Sequence, residues 1–257
     1  LGVSDADLIE VRNDFGVAIL RALITDRVSQ GSVFAPIHWT GEVASQSIVS
    51  DLVPSVVDPV SGQPDSKSAY VSLSKFCAKW YGYAVSACKM SVSTRYWAKA
   101  KLNTGWQVEL ADDKMPDDWT EFARNLFHAD GLECTSVIDA PKGRARIAFQ
   151  KDNKLFGALF VDRVPVQVSR NFAGSLLGQD SPHILAGRPG KAHVDPGPTV
   201  CACFNVGGNT ILSAIERRNL ISVEQIGTAL SAGTNCGSCR PELAALLAGT
   251  RQKLAAE

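Results

Sequence analysis

Four cysteines near the C-terminal end of the chain are the residues best suited to chemistry. They read Cys201-Ala202-Cys203 and, further on, Cys236-Gly237-Ser238-Cys239. Four thiolates with no histidine among them suit a soft metal, either zinc or an iron–sulfur cluster. Zinc knuckles place two to four residues between their cysteines. A C-x-C pair sets two sulfurs closer, which leans toward cluster iron. Gly233-Thr234-Asn235 before Cys236, and Gly237-Ser238 after it, leave backbone N–H groups free to bond cluster sulfurs, and such bonds tune a reduction potential. A zinc staple without electron transfer stays open as the rival. Cys77, Cys88 and Cys134 have no partners at ligand spacing and read as ordinary buried thiols.

The elements that must hold these thiolates are legible as helices. Pro241 opens a helix to Leu247 whose positive dipole end faces an anionic site. Thr210 to Arg218 carries Ile211, Leu212 and Ile215 with helical spacing. Ser222-Val223-Glu224-Gln225 is a capping-box sequence that starts a second helix through Ile226 and Leu230. Gly207-Gly208 and Asn219 mark the breaks. Residues 199–257 thus form a small all-α domain whose loops at helix ends carry the cysteines. At that size the apolar core is marginal, so a metal staple is expected.

Upstream, residues 187–198 hold three glycines and three prolines and read as an interdomain linker. Residues 75–186 look mixed α/β. Trp80, Trp97, Trp106 and Trp119 build an aromatic core there. A helix begins near Pro116, with Trp119, Phe122 and Leu126 on one face, and Arg144–Gln150 pairs with Leu155–Val161 in a hairpin about Lys151–Lys154. Ser169 to Leu177 is a short helix. Residues 1–74 read as a small β-barrel or part of one. Its strands lie at Leu8–Val11, Gly16–Leu20, Ser32–Ile37 and Tyr70–Ser74, with Asn13-Asp14 as a turn and 54–64 as a structured loop. The fold class is α+β and multidomain.

Composition bounds the function. The 257 residues are 45% apolar and 20% charged, an ordinary globular balance that excludes a disordered or collagen-like chain. No apolar run reaches the roughly 20 residues needed to span a bilayer. Lys+Arg 26 against Asp+Glu 26 gives no net charge, which argues against a nucleic-acid or membrane-surface partner. Seven cysteines is an odd count, and no export-type leader is seen, so a disulfide framework is disfavoured and a cytoplasmic setting expected. The chain starts at Leu1 rather than Met, consistent with processing or with a piece of a longer protein.

Two family resemblances extend this reading. The tail resembles the bacterioferritin-associated-ferredoxin-like (BFD-like) [2Fe–2S] domain through Cys201-x-Cys203, Val206-Gly207 and Gly233-Thr234-Asn235-Cys236-Gly237-Ser238-Cys239-Arg240-Pro241-Glu242. The resemblance implies that Cys201, Cys203, Cys236 and Cys239 ligate one [2Fe–2S] cluster. The head resembles the C-terminal dinucleotide-binding domain of the molybdopterin oxidoreductases. It does so through Leu1-Gly2-Val3, Asp7 to Val11, Phe34-Ala35-Pro36-Ile37-His38-Trp39, and Asp58-Pro59-x-Ser61-Gly62-Gln63-Pro64-x-x-Lys67. The order of parts is similar to that of the bacterial assimilatory nitrate reductases within that family. Asn13-Asp14-Phe15-Gly16 replaces the family's usual Ser-Arg-Arg-Gly turn, and an Asn-Leu-Thr segment common before the Asp-Pro motif is missing.

The resemblance implies a C-terminal portion of a molybdenum enzyme that reduces nitrate to nitrite. His38, Gln63 and Lys67 would touch a Mo-bis-molybdopterin guanine dinucleotide shared with an absent N-terminal portion. That portion would also carry a [4Fe–4S] centre and the catalytic machinery, so no catalytic residue is assigned here. Trp39 reads as a packing residue. The electron donor would be an NAD(P)H flavoprotein, ferredoxin or flavodoxin. A free-standing [2Fe–2S] electron-transfer module and a zinc-stapled adaptor are the alternatives.

Overall fold

The computed structural model describes residues 2–37, 39–46, 48–64, 68–190, 196–201, 204, 206–235, 237 and 239–254. The chain divides into two compact units. One is Leu1–Val166 with Leu177–Asp180; the other is Gln167–Leu176 with Ser181–Glu257.

The first unit begins with β1 (Leu8–Arg12), β2 (Val17–Arg21) and β3 (Ser72–Lys75). They form a three-stranded antiparallel sheet in the order β2-β1-β3. The expected turn joins β1 to β2: the Asn13 side-chain carbonyl accepts from the Phe15 and Gly16 backbone N–H groups at 3.0 and 3.1 Å. Alternation buries both faces. Val11, Ala18 and Leu20 pack with Leu52 on one side, and Leu8 and Ile19 pack with Phe76, Tyr96 and Ala111 on the other.

The described residues form no closed barrel. Three strands of four or five residues are too few to curl shut, a geometry that takes about eight strands in small barrels. The expected strand at Ser32–Ile37 is also absent. Pro36 cannot donate to a ladder, and Val33, Phe34 and Ile37 stand exposed.

The larger part of this unit is a six-stranded antiparallel sheet. Its strands are β4 (Trp80–Ser86), β5 (Tyr96–Leu102), β6 (Gly105–Asp112), β7 (Glu133–Asp139), β8 (Arg144–Lys151) and β9 (Lys154–Asp162), in the order β5-β6-β4-β9-β8-β7. The expected hairpin is β8–β9. Its central residues, Asp152 and Asn153, both take left-handed backbone at φ 52 and 59, as a type I′ turn requires. One helix, α1 (Trp119–Phe127), lies across the sheet and buries Trp119, Ala123, Leu126 and Phe127 against Trp80, Leu110, Ile147 and Phe149.

The tryptophan core is as expected. The Trp80 and Trp119 rings meet edge-on with centroids 4.9 Å apart, and Trp97 and Trp106 pack at its margin. The helix starts later than Pro116 because Asp118 is its cap, accepting from the Thr120 and Glu121 backbone N–H groups at 2.6 and 3.1 Å.

The two sides of this sheet end differently. Segment 43–45 covers the first half of β5. The Lys99 N–H donates to the Val43 carbonyl at 2.7 Å, and the Ser45 N–H donates to the Trp97 carbonyl at 3.0 Å. On the other side, β7 pairs only with β8 among the described residues, and six of its seven residues are exposed.

The second unit holds α2 (Arg170–Ser175), β10 (Thr199–Cys201), β11 (Val206–Gly207), α3 (Gly208–Arg218), α4 (Val223–Leu230) and α5 (Arg240–Leu254). The antiparallel β10–β11 ribbon means the tail is not all-α as expected. Ser222 caps α4 as the sequence indicated, accepting from the Gln225 N–H at 3.3 Å, while the Gln225 side chain accepts from the Ile221 N–H at 2.7 Å. α3 ends at Asn219, left-handed at φ 50. Ile211, Ile215, Ile226, Leu243 and Leu247 form the core, and Cys201 and Cys239 belong to it. No helix of the described residues is long and apolar enough to cross a membrane.

Candidate metal centre

Cys201 closes strand β10, and Cys239 sits immediately before α5, where its carbonyl accepts from the Leu243 N–H at 3.0 Å. The two cysteines are only 2% and 6% exposed, and they lie close enough for their thiols to hydrogen-bond. The chain brings them together by folding the ribbon and the start of α5 onto one core.

Gly207 is essential to the ribbon side. A Cβ there would lie 2.0 Å from the Pro196 carbonyl oxygen, which accepts from the Asn209 N–H at 3.0 Å. Gly233 is essential to the other side. Its φ of +81 and a projected Cβ 3.0 Å from Leu243 Cδ1 leave room only for glycine, and its N–H donates toward the Cys239 sulfur.

The electrostatics suit a metal. Burial raises the Cys239 thiol above its usual range, and the hydrogen bond with Cys201 and the charge of that neighbour add to the effect. The Gly233 and Cys239 backbone N–H groups pull the other way and lose. A position at a helix start usually favours the thiolate, but here the apolar core outweighs it. Two adjacent thiolates in such a core are stable only with a cation between them, so binding a metal and releasing the thiol protons are coupled. The donor set is therefore chemically fit for the soft metal that the sequence implied. A [2Fe–2S] cluster held there supplies one-electron transfer.

The other two expected ligands, Cys203 and Cys236, lie outside the described residues, and among the described residues no three metal-ligating side chains converge. The remaining cysteines do not behave as expected. Cys77, Cys88 and Cys134 are exposed rather than buried. Cys77 and Cys88 fall in links between strands and Cys134 on the outer strand β7, none of them in the core.

Of the expected cofactor contacts in the head, His38 and Lys67 lie outside the described residues. Gln63 is exposed on a loop that lines an open concavity of about 570 Å³. That loop is fixed from within. Asp58 accepts from the Val60 and Ser61 backbone N–H groups at 3.0 and 2.7 Å and from the Ser61 hydroxyl at 2.9 Å. These bonds hold its carboxyl below the usual range. A turn braced in this way beside the exposed Gln63 side chain fits a polar cofactor. Trp39, expected to pack, is 46% exposed.

The chain thus has a sheet-rich first unit and a small second unit whose paired buried thiols suit a soft metal. Comparison with known proteins finds a likeness at each end. Residues 199–249 match the family described as BFD-like [2Fe-2S] binding domain, and residues 1–70 match the Molydopterin dinucleotide binding domain. The chain is 30% identical to a nitrate reductase of Klebsiella oxytoca over 256 residues, which is 95% of this chain and 28% of that protein. No solved structure matches the chain. Likenesses to a molybdopterin dinucleotide-binding domain and to a [2Fe–2S] domain thus fall on one chain, which spans 28% of the length of the nitrate reductase it resembles.

Two features of the tail go beyond what the sequence motifs indicate. Gly207, a helix break and part of a family motif in sequence, also packs against the Pro196 carbonyl beside the C-x-C pair. Arg240 was read only as part of a family motif, although it reaches Glu224 of α4.

Proposed function

We propose that this chain is the C-terminal portion of a molybdenum-dependent assimilatory nitrate reductase, which reduces nitrate to nitrite in the cytoplasm. The observation that carries the reading is the pair of buried sulfurs of Cys201 and Cys239 in the unit that matches a [2Fe–2S] family. Cys201, Cys203, Cys236 and Cys239 would hold the cluster. His38, Gln63 and Lys67 would bind part of a Mo-bis-molybdopterin guanine dinucleotide. The tail would take electrons from an NAD(P)H flavoprotein, ferredoxin or flavodoxin. They would pass inward to a [4Fe–4S] centre and molybdenum carried elsewhere in the enzyme.

The test is to purify the 257-residue chain anaerobically and measure iron, acid-labile sulfide, zinc and the visible spectrum. Two irons and two sulfides per chain, a red-brown colour and no nitrate turnover by the chain alone are expected. Stoichiometric zinc without sulfide overturns the electron-relay reading.

A further inference from the structure

Arg240 follows Cys239 directly, and its side chain takes a defined path. Its Cγ lies 3.3 Å from where a Cβ of Gly233 would project, and its Cδ lies 3.7 Å from the same point on Gly237. Both glycines have left-handed backbone, at φ +81 and +74. The aliphatic stem therefore runs across the two glycine turns that flank Cys236 in sequence. Its guanidinium ends on the Glu224 carboxylate in the first turn of α4. Glu224 is held below the usual carboxylate range by its own backbone N–H, by Arg240 and by Ser222. The pair bridges the start of α5, directly after Cys239, to a helix that contributes no ligand.

We propose that Arg240 is a positioning residue of the cluster site: it ties the start of α5, next to Cys239, to α4, and the Arg240–Glu224 pair sets the potential at which the cluster takes its electron. This rests on the [2Fe–2S] reading above. The physical argument is charge balance. Reduction adds one negative charge to the site, and a cation one residue from a ligand favours the reduced form, whereas the Glu224 carboxylate cancels part of that help. Arg240 is 47% exposed and Glu224 70%, so salt screens the effect and it is largest in dilute buffer.

The experiment is a redox titration of the full chain, followed by its visible spectrum, for the parent and four variants. Arg240→Gln is expected to lower the potential and Glu224→Gln to raise it. Each shift should correspond to at least a threefold change in the reduction equilibrium, tenfold being about 59 mV for one electron. Arg240→Lys, which keeps the charge but loses the fork, should hold the potential yet release iron to a chelator faster than the parent. The double variant should return close to the parent potential.

Shifts of the same sign, or none, overturn the inference while leaving the cluster reading intact. If Arg240→Gln fails to assemble, Glu224→Gln alone decides the sign, since its side chain lies mostly in solvent. A zinc-bound, sulfide-free parent defeats the cluster reading itself, and the inference falls with it.

Discussion

The Cys201 and Cys239 thiols, far apart in sequence, meet within hydrogen-bonding reach inside the apolar core of the second unit. Replacing either by serine is expected to abolish the visible absorbance of the chain and most of its iron. Replacing the exposed Cys77, Cys88 or Cys134 by serine should leave both unchanged. Iron and sulfide assays on the five variants check this, and equal losses at all five would contradict the assignment.

Gly207→Ala should be nearly as damaging as losing a ligand. The new methyl would collide with the Pro196 carbonyl at 2.0 Å, and that carbonyl also anchors the start of α3 through the Asn209 N–H. The ribbon that delivers Cys201 has to move. Reduced iron occupancy with the first unit's thermal transition unchanged is the expected pattern.

In the first unit, Phe127 is fully buried, with its ring 5.9 Å from that of Phe149. Phe127→Ala is expected to cost about 3–5 kcal/mol, and Asp118→Ala, which removes the α1 cap, about 1 kcal/mol. Denaturant titrations followed by tryptophan fluorescence measure both. A cap variant costing more than the core variant would refute the packing described for α1.

Acid stability follows from Asp113. The hydrogen bond from Arg95, at 2.7 Å, is the main cause that holds its carboxyl below the ordinary 3.8. The folded state therefore takes up this proton less readily than the unfolded chain. The resulting stability is complete above the ordinary carboxylate range and is lost as pH falls through the lowered value. Both side chains are about one-third exposed, so the contribution is about 0.2–1 kcal/mol. Asp113→Asn should lower stability at pH 7 by that amount and flatten the decline below pH 4. An unchanged acid limb would remove the pair from the account.

Where sequence alone succeeded, the signal was local. The Ser222 to Gln225 capping box and the Lys151–Lys154 turn are each set by a few adjacent residues. Where it failed, tertiary partners decided. The stretch 32–37 has strand composition but Pro36 and no ladder. Cys77, Cys88 and Cys134 looked like core thiols by residue type, yet their positions on links and on an outer strand put them in solvent. The expected barrel depended on how many strands join one sheet, which alternation cannot count. Glu224 was noticed for its helix cap, but nothing near it in sequence points to Arg240, which reaches it only once α4 and α5 pack.

The large sheet is partly covered on one side and open on the other. Segment 43–45 covers the β5 rim at Trp97 and Lys99, while β7 offers solvent the β-prone run Thr135-Ser136-Val137-Ile138. Lengthening of this sheet, by an invading peptide or by a neighbouring molecule in a concentrated solution, therefore finds its more open starting line at β7 among the described residues, and a proline placed in β7 would blunt it while leaving the second unit's core unchanged.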